Sequence, residues 1–262
     1  MSGANSETVL VTGASSGIGC ELAKCFAADG SRLVLTARNT EALQSLADEL
    51  RRTHKVEALV LTADLALPET PERICRELQG RGIAVDVLVN NAGFGAWGRF
   101  AELPLSRQLE MLQVNITALT QLTGLLLPGM VQRRRGGILN VASVAGFLPG
   151  PGMAVYYATK ACVLSFTEAL AQELAGRNIT VTALCPGPTI TNFGKAAHID
   201  KEKRKIRMVR MSAEAVAVYG HRAFRKKRVV AVPGLQNRLL ILLTRLAPSS
   251  IIRKTAAIFN GI

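Results

Sequence analysis

Two residue types that can move a proton lie four positions apart, a phenol at Tyr156 and an ammonium at Lys160. Residues at this spacing share one face of a helix. A nearby cation favours the phenolate, and lowering a tyrosine pKa from about 10 to about 7 or 8 takes roughly 3 to 4 kcal/mol. A unit charge about 4 Å away supplies about that much at an effective dielectric of 20. The pair therefore predicts a phenol that exchanges a proton with a carbonyl or alcohol oxygen near neutral pH.

Short apolar runs alternate with longer helical patterns and indicate which elements position this pair. Strands are predicted at 9–11, 32–36, 56–62, 85–89, 137–141, 179–184 and 229–232, and helices at 22–28, 41–52, 71–79, 105–131 and 155–174. Buried strands separated by helices are typical of a parallel sheet with helices on both faces. We therefore predict an α/β fold, a single doubly wound domain over residues 1–262 with about seven strands.

Two segments depart from this alternation. Residues 189–211 are irregular and basic, which suits a flap over a substrate site. Residues 237–262 form an apolar tail with scattered Arg and Lys, which predicts one or two amphipathic helices broken at Pro248. We expect this tail to pack on the core. Contact with a second subunit or with a membrane surface stays open as a less favoured alternative.

Composition limits the class of protein. Hydrophobic residues make up 48% and charged residues 19%, which indicates a folded globular chain. The five cysteines show no metal-type spacing, so we expect reduced thiols, a cytoplasmic location and no metal site. We find no run of about 18 uncharged apolar residues, so no membrane-spanning helix is predicted.

The net charge of +13 is carried largely by clusters at 133–135, 201–210 and 225–228. The clusters lack interleaved aromatic residues, so we interpret them as solvated faces and expect no nucleic-acid partner. Attraction of an anionic cofactor, an acyl-carrier substrate or acidic lipid stays open as an alternative.

A glycine-rich turn follows the first predicted strand. Its sequence is Thr12-Gly13-Ala14-Ser15-Ser16-Gly17-Ile18-Gly19. Gly13 permits a tight turn, Gly17 lets the backbone approach a phosphate, and Gly19 lets helix and strand pack closely. The helix that follows presents free N–H groups and a positive dipole end to a pyrophosphate. The spacing differs from the commoner GxGxxG, but its place after a first strand predicts a Rossmann-type dinucleotide site. Ser15 and Ser16 are candidates for cofactor contact, for helix capping, or for both.

The end of the second strand indicates which nicotinamide cofactor fits. An acid there would accept the ribose 2′-hydroxyl, but the sequence places Arg38 at this point. Arginine can hold a 2′-phosphate by a bidentate contact, which favours NADP(H) over NAD(H). An ordinary surface arginine is the alternative. After the third strand, Asp64 and Leu65 are candidates for contact with the adenine side of the cofactor.

Six motifs in register resemble the short-chain dehydrogenase/reductase family. They are the glycine turn at 12–19, Asn90-Asn91-Ala92-Gly93 after strand four, Asn115 in the long helix, Ser143 after strand five, Tyr156 with Lys160, and Pro186-Gly187 after strand six. The resemblance covers about residues 7–235, and the Arg38 pattern is similar to that of the NADP-preferring members.

The resemblance implies a role for each matched residue. Tyr156 would donate the proton in reduction or accept it in oxidation, and Lys160 would lower the pKa of Tyr156 and bind the nicotinamide ribose. Ser143 would hydrogen-bond the substrate oxygen, and Asn115 would shape the long helix and hold a water in a proton relay. Besides the residues named above for the cofactor, the implied contacts are Asn90, Ala92, Gly93, Tyr156, Lys160, Pro186, Gly187, Thr189, Ile190 and Thr191.

Several of these residues have a purely structural alternative. Ser143 would then cap a turn, Asn115 would face solvent, and Asn90 with Asn91 would be ordinary turn residues. Tyr157 is the nearest rival for the catalytic phenol, but the family spacing of four residues selects Tyr156. The three histidines, His54, His198 and His221, fall in no motif and are interpreted as non-catalytic.

Apolar residues after the catalytic strands predict a hydrophobic substrate pocket. The candidates are Phe94, Gly95, Trp97, Phe147, Leu148, Met153 and Phe193. We predict an NADPH-dependent oxidoreductase that interconverts a ketone or aldehyde with its alcohol by hydride transfer, with Tyr156 as the acid/base. A homo-oligomer formed through the long helices is implied by the resemblance. The alternative is an NADP-binding protein, associated with a membrane or a partner, with little catalysis; the intact Ser143, Tyr156 and Lys160 set argues against it.

Overall fold

A seven-stranded parallel sheet organises the chain in a computed structural model that describes residues 7–197 and 209–261. The strands are β1 (Thr8–Thr12), β2 (Arg32–Ala37), β3 (Ala58–Thr62), β4 (Val87–Asn90), β5 (Gly136–Val141), β6 (Ile179–Leu184), β7 (Thr189–Ile190), β8 (Met211–Ser212) and β9 (Val230–Ala231). The main sheet has the order β3-β2-β1-β4-β5-β6-β9, and β7 pairs with β8 in a small separate sheet. The predicted doubly wound α/β fold is confirmed. The order reverses between β1 and β4, which is where such sheets bind ligands.

Ten α-helices surround the sheet in the described part of the chain. They are α1 (Gly17–Ala28), α2 (Thr40–His54), α3 (Thr70–Gly80), α4 (Leu105–Leu112), α5 (Ala118–Arg133), α6 (Ala154–Glu173), α7 (Phe193–Ala196), α8 (Ala213–Arg225), α9 (Leu235–Leu246) and α10 (Ser249–Asn260). Alternate residues of β1 face opposite layers: Val9 and Val11 pack with the core on the α1, α2 and α8 side, and Leu10 packs with the core on the α3 and α5 side. This two-sided burial is why the strands are continuous apolar runs.

The helix predicted at 105–131 is interrupted at its middle. A π-helical turn, Gln113–Thr117, separates α4 from α5. The whole helical stretch Leu105–Arg133 is long and apolar enough to cross a membrane by length and composition, which the sequence analysis did not anticipate. One side of α5 packs on the sheet through Ala118, Leu122 and Met130.

The predicted flap at 189–211 and the predicted tail at 237–262 agree only in part with the structure. Within 189–211 the structure has β7, α7 and β8, while residues 198–208, with His198 and most of the 201–210 cluster, lie outside the described residues. The tail forms two helices, α9 and α10, on either side of Pro248, as predicted. Each helix buries one side on the body of the protein, and each leaves apolar residues exposed on the other side.

Candidate active site

The candidate catalytic side chains converge beyond the carboxyl ends of β5 and β6. Ser143 follows β5, and Tyr156 and Lys160 lie in the first two turns of α6. The Ser143 side chain is close enough to the Tyr156 hydroxyl to lower the pKa of this phenol. The Nζ of Lys160 donates to the carbonyl of Val141 at 2.8 Å. The fold therefore brings Ser143 together with the Tyr156–Lys160 pair, which the sequence placed in a separate motif.

Ser143 serves a structural role at the same time. Its Oγ accepts a hydrogen bond from the Ala145 backbone at 3.1 Å, which caps the short 3-10 turn Val144–Phe147. It also donates to the carbonyl of Pro186 at 3.4 Å, which ties the end of β5 to the loop after β6. The capping alternative and the contact with Tyr156 are thus both present. The cap fixes the hydroxyl in the position from which it meets the phenol.

The pKa of Tyr156 differs from the sequence expectation. Burial raises it above its ordinary value, a hydrogen bond with Ser143 lowers it, and Tyr157 raises it further, so that the net direction is upward. The expected lowering by Lys160 is absent, since its Nζ lies 5.9 Å from the centre of the Tyr156 ring and is directed to Val141. In the protein alone, desolvation of the phenolate outweighs the attraction of the ammonium.

Lys160 is itself strongly affected by its surroundings. Only 6% of the residue is exposed, and burial lowers its pKa to about 8. A Cβ added at Gly93 would lie 3.4 Å from the Nζ of Lys160 and 3.0 Å from the Oδ1 of Asn115. The ammonium is therefore held between the ends of β4 and β5, where Gly93 leaves room for it.

Asn115 lies in the π-helical turn and is 1% exposed, which excludes the solvent-facing alternative. Its Oδ1 accepts from the Phe94 backbone at 3.1 Å, and its Nδ2 donates to the Phe94 carbonyl at 2.9 Å and to the Thr159 Oγ1 at 3.1 Å. Single π-helical turns often occur at functional sites. Here the turn lets one amide join the loop after β4 to the helix that carries Tyr156.

Tyr157 is separated from the candidate site. It is 8% exposed and packs with Ala145 and Met153, and its hydroxyl is 3.5 Å from the Oδ1 of Asn260 in α10. Its ring also lies directly against Gly150, where a Cβ could not fit. The structure therefore supports Tyr156 as the candidate phenol.

The glycine turn is packed so closely that side chains are excluded. A Cβ added at Gly19 would lie 2.5 Å from the Gly13 carbonyl oxygen, and one added at Gly13 would lie 2.9 Å from the Ala92 Cα. Gly13 and Gly17 also have φ angles of +64° and +59°, which favour glycine. Asn91, which the sequence analysis left as a turn residue, donates its Nδ2 to the carbonyls of Thr12 and Gly13 at 2.9 and 3.1 Å. Asn91 thereby sets the shape of the turn.

These residues fit a nicotinamide dinucleotide. The turn offers bare backbone at the N-terminus of α1, and the side chain of its N-cap, Ser16, makes no capping hydrogen bond. Arg38 is exposed directly after β2. On the far side, Thr191 lies against Gly17, with its Cγ2 3.1 Å from the Cβ that Gly17 lacks. A pyrophosphate would be held by the helix terminus and a 2′-phosphate by Arg38.

Two predicted cofactor residues use their side chains elsewhere. The Nδ2 of Asn90 donates to Thr123 and Asn140 at 3.2 and 2.9 Å, so its amide joins β4, β5 and α5 inside the core. The Oδ1 of Asp64 accepts from the Ala66 backbone at 3.0 Å and closes the turn after β3, while Leu65 is buried. The Asn90 side chain therefore holds the end of β4 in place from inside the core.

The loop after β6 reaches the site from the opposite side. Pro186 accepts a hydrogen bond from the Val144 backbone at 3.0 Å, and the Oγ1 of Thr189 donates to the Gly187 carbonyl at 2.9 Å. Gly187 lies against Asn237 of α9, which is 1% exposed. The loop is therefore fixed between β5 and α9, and no sequence motif indicated the contribution of Asn237.

An apolar cleft adjoins Tyr156. Its cavity volume is about 10 Å³, and Phe100, Leu103, Met111, Met153 and Tyr156 are among its lining residues. Of the predicted pocket residues, Met153 lines this cleft, and Phe193 packs on the Tyr156 ring at 5.2 Å between centroids. The residues from 100 to 111 were missed, because they lie before and within the long helix and not after a strand.

The comparisons with known proteins identify the family. The model of the short chain dehydrogenase family matches residues 7–202, so the chain belongs to this family. The chain is 33% identical over 207 residues to the 3-oxoacyl-[acyl-carrier-protein] reductase FabG of Vibrio cholerae, covering 79% of this chain and 82% of that protein. It is 37% identical to the mouse dehydrogenase/reductase SDR family member 7B over 71% of this chain, a match that spans 58% of the mouse protein.

Solved structures show the same fold. A short-chain dehydrogenase from Sphingobium yanoikuyae in complex with NADPH is 35% identical, with a TM-score of 0.82 over 92% of this chain and 93% of that one. A short-chain dehydrogenase/reductase from Burkholderia phymatum in complex with NAD is 26% identical, with a TM-score of 0.80 over 96% and 95% of the two chains. The chain is thus an oxidoreductase of a family that uses nicotinamide cofactors.

Proposed function

We propose that this chain reduces a hydrophobic ketone, aldehyde or acyl-type carbonyl to its alcohol, with NADPH as the reductant. The observation that carries the proposal is the convergence of Ser143, Tyr156 and Lys160 beside an apolar pocket. NADPH, when bound, supplies the hydride. The remaining chemistry, which is placing the carbonyl oxygen and giving it a proton, falls to residues of this chain.

Tyr156 is the proton donor in this proposal. A donor must carry its proton before the reaction, and burial raises the pKa of Tyr156, which keeps the phenol protonated at neutral pH. Ser143 adjoins the phenol, and its hydroxyl would turn from the Pro186 carbonyl to donate to the carbonyl oxygen of the substrate. Lys160 does not lower the pKa of Tyr156 in the protein alone, so its role in this proposal is to hold the nicotinamide ribose.

The preference for NADPH rests on Arg38. This residue stands exposed after β2, where an acid would select NADH. The Arg38→Asp variant should lower kcat/KM with NADPH by about 10 to 100-fold and improve the relative use of NADH, because a bidentate contact to phosphate is replaced by repulsion. The conservative Arg38→Lys variant should retain most of the NADPH preference. A ratio of NADPH to NADH use that is unchanged in Arg38→Asp would contradict this assignment.

The substrate class follows from the cleft beside Tyr156. Its lining is apolar apart from Tyr156 and Gln108, which suits a hydrophobic carbonyl compound. Similarity to a 3-oxoacyl-[acyl-carrier-protein] reductase supports acyl thioesters as candidates. The test is NADPH oxidation by the purified chain with matched series of ketones, aldehydes and 3-oxoacyl thioesters of increasing chain length. Rates should rise with apolar size, and equal rates for short polar carbonyls would contradict the proposed class.

We also propose a homo-oligomer formed through α4 and α5. Leu105, Leu109 and Leu125 are 63%, 54% and 45% exposed on these helices. Burying such leucines in a subunit contact removes apolar surface from water. Sedimentation velocity of wild type and Leu109→Asp should show an assembly that the substitution dissociates, and a monomeric wild type would contradict the proposal.

A further inference from the structure

The helix α9 carries an exposed apolar face made of five leucines. Leu235, Leu239, Leu242, Leu243 and Leu246 are each more than half exposed. Their spacing of four, three, one and three residues places them along one side of the helix. On the other side Asn237 and Ile241 are buried, so α9 is fixed to the protein while its leucines face outward.

The next helix also leaves apolar residues exposed on one side. In α10, Ile251 and Ile258 are seven residues apart and are 55% and 48% exposed. The opposite side of α10 is anchored by Asn260, whose Nδ2 donates to the Pro151 carbonyl at 2.9 Å and whose carbonyl accepts from the Trp97 Nε1 at 2.8 Å. We call the five leucines of α9 and the two isoleucines of α10 the C-terminal apolar face.

The segment of sequence that carries this face is basic and contains no acid. After Glu214 the sequence contains nine Lys and Arg residues and no Asp or Glu. Arg238 and Arg245 are seven residues apart and border the leucines of α9 on the same side, and Lys254 borders the isoleucines of α10 in the same way. All three residues are exposed.

Charge decides which occupant fits such a face. A second copy of the chain would bring Arg245 and Lys254 close to their own equivalents, and the sequence after Glu214 contains no acid to pair with them. The surface of an anionic bilayer offers both an apolar interior for the leucines and negative headgroups for the cations. We propose that the C-terminal apolar face docks on an anionic lipid bilayer, with α9 and α10 lying in the plane of the interface.

The position of the two helices connects this docking to the active site. Asn237 of α9 lies against Gly187, and Asn260 of α10 lies against Tyr157, the neighbour of Tyr156. A bilayer under these helices would lie near the cleft and would supply apolar carbonyl compounds dissolved in lipid. This consequence rests on the proposed function, but the docking does not, because it is measured without turnover.

The test is cosedimentation of the purified full chain with vesicles of phosphatidylcholine alone or mixed with phosphatidylglycerol. We expect at least about tenfold stronger binding to the anionic vesicles, weakened by added salt. Leu242→Asp should reduce this binding by at least about tenfold, because a carboxylate would have to enter the apolar region. Leu67→Asp, the same change at an exposed leucine outside the face, should leave binding unchanged.

A charge-matched pair completes the test. Arg245→Glu should weaken binding to anionic vesicles more than Arg76→Glu, an identical change on α3. Binding that is absent in the wild type, or equal in Leu242→Asp and Leu67→Asp, would overturn the proposal. The proposal would also be overturned by an assembly that does not bind vesicles and that Leu242→Asp dissociates, because the C-terminal apolar face would then join two copies of the chain. NADPH binding and reduction of a water-soluble ketone without vesicles, measured on the same variants, report separately on the proposed function.

Discussion

The glycine turn on one side of the cleft and the C-terminal helices on the other are held in place by different means. At the turn, backbone approaches backbone so closely that a Cβ at Gly19 would meet the Gly13 oxygen at 2.5 Å. At the C-terminal side, the contacts are made by polar side chains, Asn237 against Gly187 and Asn260 against Pro151 and Tyr157. The glycine turn therefore depends mainly on close packing of backbone, whereas the C-terminal side depends mainly on contacts and hydrogen bonds of side chains.

The largest effect is expected where the backbone leaves no room. Gly19→Ala would place a methyl group 2.3 Å from the Asn91 Nδ2 as well as against the Gly13 oxygen, so the turn must open. We expect NADPH affinity to fall by at least about 100-fold and the free energy of unfolding by about 1 to 3 kcal/mol. Isothermal titration with NADPH and urea unfolding measure the two effects.

A glycine with open space is the matched control for this change. No heavy atom lies within 4 Å of a Cβ added at Gly124 in α5. Gly124→Ala should therefore leave NADPH binding intact and stabilise the helix by up to about 1 kcal/mol. Equal losses in the two variants would show that glycine content alone, and not the packing of the turn, controls binding.

A substitution of Lys160 measures the free-energy cost of burying its charge. Its pKa falls from 10.5 to about 8 in the folded protein, so the unfolded chain binds more protons between these values. Below about pH 8 Lys160 is charged in both the folded and the unfolded state, and the full cost of burying the charge is present. Between about pH 8 and 10.5 the stability of the folded protein rises with pH, and above 10.5 it levels off. Lys160→Met should therefore stabilise the cofactor-free protein by about 1 to 3 kcal/mol near neutral pH while removing most activity.

Urea unfolding at two pH values measures this prediction. The stability gain of Lys160→Met should shrink as the pH approaches 10.5, where the wild-type lysine is neutral in both states. A gain that is the same at both values, or a variant less stable than wild type near neutral pH, would contradict the stated cause.

The smallest effect is expected at the end of α10. Asn260→Ala removes the hydrogen bond to the Pro151 carbonyl and the contact with Tyr157. The hydrogen bond from the Trp97 Nε1 to the backbone carbonyl of residue 260 stays. We expect a loss of about 1 to 2 kcal/mol in stability and a severalfold higher KM for the carbonyl substrate, with NADPH affinity unchanged. Thr255→Ala, at an exposed position of the same helix, should change none of these values. A loss of NADPH affinity in Asn260→Ala would show that the two sides are not independent.

The sequence predicts the glycine turn better than the contacts of the C-terminal helices, for a physical reason. A position that excludes a Cβ can only be glycine, so Gly13, Gly17 and Gly19 leave a pattern that is visible without a structure. The alternation of apolar runs likewise indicates the parallel sheet, because strands buried on both faces must be continuous in Val, Leu and Ile.

The remaining features depend on contacts between distant residues. Asn260 meets Tyr157 across 103 positions, and Asn115 meets Thr159 across 44. The π-helical turn at Asn115 follows from those bonds and has no local sequence signal. The pKa of Tyr156 was also misjudged from sequence, since the spacing to Lys160 gives neither the 5.9 Å separation nor the burial that dominates.

The central claim is that Tyr156 gives the carbonyl oxygen its proton. It is tested most directly by single-turnover oxidation of bound NADPH in Tyr156→Phe, with Tyr157→Phe as the matched control. The account predicts that Tyr156→Phe loses at least about 100-fold in rate, consistent with loss of general acid catalysis, while NADPH affinity is retained. Tyr157→Phe should keep most of the rate. A Tyr156→Phe variant that turns over at the wild-type rate would contradict the account.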